Sequence, residues 1–278
     1  MRSKESGVGI IYPLIKPLMV GCCLLLLAAC TTSPTGRSQL MLVSEASAIN
    51  ASKTAYVEML KPFEEEGKLD NDPALKARVE RITGRLIAQA VVMRPETKTW
   101  TWSMRILDDP ETVNAWAMAG GKMALYTGLV EQIKPTDDEL AQVLAHEISH
   151  ALAKHTAEKM SVALATQLGM VAVAASTDNQ NTLVGAAAAA QLAVSLPNSR
   201  SAETEADRIG IELAAKAGYD PRAAASLWRK MGKVGGNKVP QFLSTHPSPA
   251  NREARLGKLA KKMMPHYLAK GDRPTYKF

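Results

Sequence analysis

The sequence predicts an α+β domain, mainly helical, with one small antiparallel sheet. Three observations carry that expectation. Alanine is abundant and only 5% of residues are aromatic, which favours helices over a β-sandwich. Apolar residues recur at spacings of three and four through most of the chain, the period of a helix with one buried face. Alternation of period two is confined to residues 100–127. With 278 residues, 46% of them hydrophobic, the chain is ample for one domain with a substantial core, and it shows no internal repeat.

Residues 1–29 follow the plan of a removable leader. Arg2, Lys4 and Lys16 precede or open an apolar stretch from Leu18 to Ala29, about a dozen residues and short for a membrane span. Its end, Leu27-Ala28-Ala29-Cys30, resembles the lipobox of bacterial lipoproteins, which implies lipidation of Cys30 and a new N-terminus there. Thr31 follows, and the absence of Asp at that position resembles lipoproteins sorted to the outer membrane, with the domain in the periplasm. The cysteines are Cys22, Cys23 and Cys30, so a mature chain keeps only Cys30. It then has neither an internal disulfide nor a thiolate metal site. The formal charge is +7, of which Arg2, Lys4 and Lys16 against Glu5 supply +2, leaving +5 for the rest. No run of basic residues suggests a nucleic-acid site; the surplus suits contact with anionic lipid.

Residues 30–44, with Pro34 and Gly36, read as a linker, and 45–278 as the domain. A helix is expected from Glu45 to about Lys68, with Ile49, Tyr56, Val57, Leu60 and Phe63 inward. A second runs from Pro73, a first-turn proline, to about Gln89, burying Leu75, Val79, Ile82 and Leu86. Trp100–Leu107, Val113–Met118 and Lys122–Thr127 read as strands, the last two joined by a hairpin at Gly120-Gly121. The next helix is fixed at its start by Pro135 and a capping box of Thr136 and Glu139, and Leu140, Val143, Leu144, Ile148, Ala151 and Leu152 bury it. Between Met160 and Pro197, Ser161–Thr177 and Asn179–Ser199 carry no charge, with only Asp178 between them. Gln167, Asn179, Gln180, Asn181 and Gln191 make this stretch too weakly apolar for membrane insertion, so a buried helical hairpin is expected. Helices follow at Ala202–Ala217, ending near Gly218, and at Pro221–Met231. Gly235-Gly236-Asn237 is a flexible break, His246-Pro247-Ser248-Pro249 a rigid turn, and Asn251–Met264 a basic closing helix.

The chemistry centres on His146-Glu147-Ile148-Ser149-His150. Two histidines four apart on a helix leave the same face, about 40° apart around the axis, and Glu147 lies at its edge. Zinc takes imidazole nitrogens in a tetrahedral set with one position open, and a carboxylate beside that position can act as general base. This H-E-x-x-H pattern therefore reads as a zinc hydrolase helix. On a buried helix, unpaired polar groups are costly, so these side chains need partners. Two histidines leave zinc one protein ligand short. His155 stands five residues past His150, about 140° round a continuous helix, and reads as a surface or capping histidine. The best donor segment is Ser199-Arg200-Ser201-Ala202-Glu203-Thr204-Glu205-Ala206-Asp207. Glu203 and Asp207 share a helix face, with Glu205 about 160° from Asp207; one of the pair would bind zinc and the other hold a ligand imidazole.

His146-Glu147-x-x-His150 followed by Ser199-Arg200-x-x-Glu203-x-x-Ala206-Asp207 resembles the M48 family of zinc metalloendopeptidases, the Ste24/Oma1-like group. Asn114-Ala115-x-Ala117 with Gly120-Gly121 and Gly128-Leu129, Gly36-Arg37-Ser38-Gln39-Leu40, and Thr245-His246-Pro247 with Arg252 also look like that family. The resemblance covers about residues 36–265. It implies a zincin-like metalloprotease fold with one Zn2+ per chain, bound by His146, His150 and Glu203, with Glu147 as general base and Asp207 orienting a ligand histidine. It also implies that Asn114, Ala115, Ala117, Gly120 and Gly121 belong to a substrate-binding strand region. His246 would either donate to the tetrahedral oxyanion or cap the metal in a latent state, with Arg252 nearby. Unfolded or misassembled envelope proteins are the substrates the resemblance suggests. The larger periplasmic relatives carry a helical repeat domain after the protease; thirteen residues follow Pro265 here, so recruitment through such repeats is not expected. The competing reading is a non-catalytic chaperone-like or assembly factor that keeps the fold and works by holding clients.

Overall fold

The computed structural model describes residues 30–177, 179–190, 196–234, 240–246 and 251–278. The expected leader, the break at Gly235-Gly236-Asn237 and the turn after His246 lie outside them. The described chain is mainly helical α+β, as its composition predicts.

Strands β1 (Cys30–Thr32) and β2 (Ser38–Leu40) form an antiparallel hairpin. The linker expected at 30–44 is therefore structured. Gln39 is buried, its amide donating to the Ala153 carbonyl and to Glu158, and the Val43 N–H donates to Ser161 Oγ. Helix α1 (Glu45–Glu65) is capped by Ser44, which accepts from the Ser47 N–H. It buries Ala48, Tyr56 and Leu60, but Val57, expected inward, is 65% exposed. In α2 (Pro73–Met93), Asp72 accepts from the N–H groups of Ala74 and Leu75, and Val79, Ile82 and Leu86 are buried as their spacing requires. The helix runs to Met93 rather than Gln89, because Pro95 disfavours the helical conformation only at Arg94.

After a 3₁₀ turn at Pro95–Thr99 come β3 (Ser103–Leu107), β4 (Ala115–Met118) and β5 (Lys122–Tyr126), in spatial order β3-β5-β4. The β4–β5 pair is the expected antiparallel hairpin, but β3 runs parallel to β5, so this sheet is mixed. The chain passes β5's position on the way out and returns through the hairpin to fill it. The turn holds Gly120 and Gly121 at φ +77° and +75°, and a Cβ on Gly121 would strike the Trp102 ring. Strand β4 is left as an edge.

Helix α3 (Thr127–Ile133) ends at Lys134, and α4 (Asp137–Leu152) starts with the predicted capping box: Thr136 Oγ1 accepts from the Glu139 N–H, and Glu139 accepts from the Thr136 N–H. Nearly every side chain of α4 is buried, including Leu140, Leu144 and Ile148 at the centre of the main core. Cutting one of these leucines to alanine costs about 2–5 kcal/mol.

Helices α5 (His155–Ser176) and α6 (Gln180–Ala190) pack together as the predicted hairpin, but it is not buried. Beyond Val162 it projects outward, leaving Leu168, Val171 and Val184 about 60% exposed. By length and composition α5 could cross a membrane.

Helix α7 (Leu196–Lys216) lies against α4, crossing it closely enough that a Cβ on Gly210 would stand 3.0 Å from His146 Cα and N. Then come α8 (Ala223–Met231), the short α9 (Gln241–Thr245) and α10 (Arg252–Leu268), which packs on α7 and α8. The C-terminal strip returns to α2, where the Tyr276 N–H donates to the Gly84 carbonyl.

Candidate metal centre

The α4–α7 crossing brings together residues 57 positions apart. His146 and His150, one turn apart on α4, have their Nε2 atoms 3.1 Å apart. Glu203 of α7 places Oε2 3.2 Å from His146 Nε2 and Oε1 3.4 Å from His150 Nε2. His246, just after α9, brings Nδ1 to 3.2 Å from both Glu203 oxygens and 3.4 Å from His146 Nε2. Four ligand atoms converge within 4.8 Å of one another. In a tetrahedron with metal–ligand bonds of 2.0–2.1 Å, neighbouring ligand atoms lie about 3.3 Å apart. The separations of 3.1–3.4 Å sit on that value, and the nitrogen and oxygen donor set suits zinc, so the residues fit the group the sequence implies.

Two of the donors, His146 and His246, are held from behind. His146 Nδ1 lies 3.2 Å from Asp207 Oδ1, which fixes the proton on Nδ1 and leaves Nε2 free to ligate. Asp207 is in turn clamped by Arg252 Nη2 and Arg255 Nη2, both at 2.6 Å, and the Arg252 guanidinium lies 3.6 Å above the Trp228 ring. His246 stacks on Phe242, ring centroids 4.5 Å apart, and the Phe242 N–H donates to the Val113 carbonyl beside β4.

Electrostatics follow from burial against these contacts. Burial raises a carboxylate, but hydrogen bonds from His146 and His246 outweigh it and hold Glu203 far below the usual range. Asp207 is likewise lowered against burial by His146 and Arg252. For His146 burial pulls downward, yet Asp207 and Glu203 bring the metal-free imidazole up to about 9, so a metal bound at Nε2 would displace a proton there. His150 is driven well below its ordinary value, first by burial, so it is a neutral donor. Glu147 is raised, chiefly by burial. Its Oε1 is buried without a hydrogen-bond partner, 3.4 Å from His246 Nε2 and too poorly aligned to bond it. A lone carboxylate oxygen beside the donor set is what a general base for water requires.

A cleft opens on this group. Asn114, Ala115 and Ala117 line it with Glu147, His150 and His246, and the Ala117 backbone approaches the Glu147 carboxylate. Gly120 and Gly121, expected with the substrate strand, lie in the turn that follows β4, where a Cβ would meet Ile49 and Trp102. Arg252 lies behind the donors, against Asp207 and His146. Cys30 is exposed at the start of β1.

The structure adds two residues to the expected set. His155, expected on the surface, is buried with Nδ1 2.8 Å from His150 Nδ1. The 140° arithmetic fails because α4 stops at Leu152 and Lys154 turns left-handed at φ 59°, folding the chain back before α5 begins. Glu205, on the opposite face of α7 from Asp207, is also buried, 3.2 Å from His155 Nε2. The acidic alternation Glu203-x-Glu205-x-Asp207 was its only signal, since it places carboxylates on both faces of one helix.

The model of Peptidase family M48 matches residues 73–260. Among curated proteins, the chain is similar to the mitochondrial metalloendopeptidase OMA1 of Bos taurus, 33% identical over 81% of this chain and 45% of that protein. It is similar to the beta-barrel assembly-enhancing protease of Yersinia pestis, 31% identical over 70% of this chain and 41% of that protein. The putative beta-barrel assembly-enhancing protease of Vibrio cholerae is 32% identical over 77% of this chain and 44% of its own length. The chain spans about half the length, or less, of such relatives.

Proposed function

The chain belongs to peptidase family M48, and from that premise we propose that it is a zinc-dependent endopeptidase acting on envelope proteins in quality control. The observation that carries the proposal is the donor geometry: His146, His150 and Glu203 meet at tetrahedral spacing with the unpartnered Oε1 of Glu147 beside them. When bound there, zinc supplies a Lewis acid that polarises a peptide carbonyl and acidifies water. Glu147 takes the proton of the attacking water at Oε1 and passes it to the leaving amine. Its burial keeps its basicity above that of an ordinary glutamate, which suits both transfers. The edge of β4 pairs with an extended peptide through main-chain hydrogen bonds, which need no particular sequence. Asp207, backed by Arg252, holds the His146 ring.

Of the two roles open to His246, the arrangement favours the cap. Its Nδ1 stands within the donor set and its Nε2 faces Glu147, so water and substrate must displace it. The leader and the Leu27-Ala28-Ala29-Cys30 sequence support attachment to the outer membrane through Cys30, facing the periplasm. The names of the bacterial relatives support envelope proteins as substrates.

The test is casein cleavage by wild type with and without a chelator, followed by zinc restoration, beside Glu147→Gln. Wild type should lose activity to the chelator and regain it with zinc. The variant should bind zinc and client normally but cleave about 10²–10⁴-fold more slowly. A variant that cleaves as fast as wild type overturns the assignment, and a wild type that binds unfolded protein without cutting it leaves only a holding role.

A further inference from the structure

Behind the second imidazole runs a buried polar chain that the hydrolytic machinery does not use. Glu205 accepts from Thr35 Oγ1 at 2.7 Å and from Arg37 Nε at 2.8 Å. The other arm of Arg37 forks onto Glu158, with Nη1 and Nη2 each 2.6 Å from a carboxylate oxygen, and Gln39 donates to the same Glu158 at 2.8 Å. Thr35, Arg37 and Gln39 all belong to the β1–β2 hairpin. Glu205, Glu158, His155 and Gln39 are buried, so these bonds form away from competing water.

The direction of the chain follows from its acceptor end. An ionised Glu205 can only accept, so His155 Nε2, 3.2 Å away, carries the proton. In the neutral ring that leaves Nδ1 as an acceptor. Its neighbour at 2.8 Å is His150 Nδ1, which must then be the donor. With its proton fixed on Nδ1, His150 turns the Nε2 lone pair to the point where His146 and Glu203 converge. The other imidazole is oriented by a carboxylate directly, His146 through Asp207; for His150 a histidine stands between.

We propose that His155, backed by Glu205, is a positioning residue for the metal ligand His150, and that the β1–β2 hairpin completes this support by locking Glu205 through Thr35 and Arg37. The N-terminal hairpin is thereby part of the metal site, although none of its atoms touches the metal position. The proposal rests on the zinc-ligand reading of His150 given above.

The full-length protein, stripped of metal, tests it by competition titration with zinc ions against a chromogenic chelator. Unfolding midpoints of the metal-free form and visible spectra of the cobalt-loaded form are taken alongside. His155→Ala should bind zinc about 10–100-fold more weakly and alter the cobalt spectrum. His155→Asn offers an amide oxygen near the position of Nδ1 and should recover part of that loss. Arg37→Gln should weaken zinc in the same direction from a distance. Unchanged zinc affinity and cobalt spectrum in both His155 variants, with wild type binding normally, overturn the positioning role while leaving the ligand set intact. Failure of wild type itself to bind zinc would overturn the metal reading instead. If His155→Ala does not fold, His155→Asn decides: affinity equal to wild type, with Arg37→Gln also unchanged, refutes the proposal.

Discussion

Replacing Gly210 by alanine tests whether direct backbone contact sets the distance between the two halves of the metal site. The added Cβ would lie 3.0 Å from the Cα and N of His146 and 3.1 Å from the carbonyl carbon of Ala145. These are main-chain atoms of the most deeply buried helix in the protein, and they cannot swing aside as a side-chain tip would. Two effects compete. Alanine in a helix interior gains about 0.8–1.0 kcal/mol over glycine. Forcing a methyl group into a close-packed crossing costs about 1–3 kcal/mol. The net is a loss of up to about 2 kcal/mol, and each kcal/mol lowers Tm by about 2–4 °C at this chain length. Gly210 is two helical turns from Glu203, about 10 Å along α7. A shift of a few tenths of an ångström at the crossing therefore tilts the carboxylate away from the imidazoles, and zinc affinity should fall with stability. Gly257→Ala is the control, because a Cβ there meets nothing within 4 Å. It should gain the helix term in full and leave zinc binding alone. Urea unfolding of the metal-free proteins and a zinc competition titration measure both quantities. If Gly210→Ala is stabilised as much as Gly257→Ala and binds zinc as tightly as wild type, the crossing does not fix the site.

Other perturbations separate the remaining roles. Glu203→Ala should abolish stoichiometric zinc binding at micromolar metal, measured by elemental analysis after gel filtration; full retention would move the third ligand elsewhere. His246→Ala should bind zinc more weakly but cleave a short unstructured peptide at least as fast per bound zinc, whereas loss to the level of Glu147→Gln would return His246 to the oxyanion role. Glu139 bears on acid stability. Burial raises its pKa, but Lys230, the Thr136 N–H and Ser226 together hold it below the ordinary 4.5. A depressed carboxylate stabilises the fold above its unfolded value and loses that contribution as pH falls through the folded one. The stability advantage of wild type over Glu139→Gln should thus be full at neutral pH and shrink as pH drops below about 4.5, read by urea midpoints at several pH values. An advantage that grows on acidification would refute it.

The parts of this molecule legible in its sequence are those set by neighbours along the chain. The capping box at Thr136 and Glu139, the proline start of α2 and the glycine turn between β4 and β5 are each decided within a few residues, and each is present. The same locality places His146 and His150 on one face, with Glu147 at its edge. Across the chain, Glu203 and Asp207 were reachable because a shared helix face and a missing ligand narrowed the choice. What escaped depends on a break in periodicity or on charge burial. His155 faces away from the site only if the helix continues, and Lys154 ends it. Arg37 and Glu205 carry charges usually found at the surface, and only the fold shows that each neutralises the other. The parallel pairing of β3 with β5 has no local signature at all, since alternation is the same in either direction.

The open margin of β4 is four residues long, about 13 Å of extended chain. So brief a seam takes up a backbone that has come loose over a few residues, because a strand paired on both sides has no free amides to lend. On the reading proposed here, discrimination between sound and damaged proteins needs no sensor of sequence: whichever polypeptide exposes a short unpaired run is admitted, and a well-packed neighbour is spared by its own integrity.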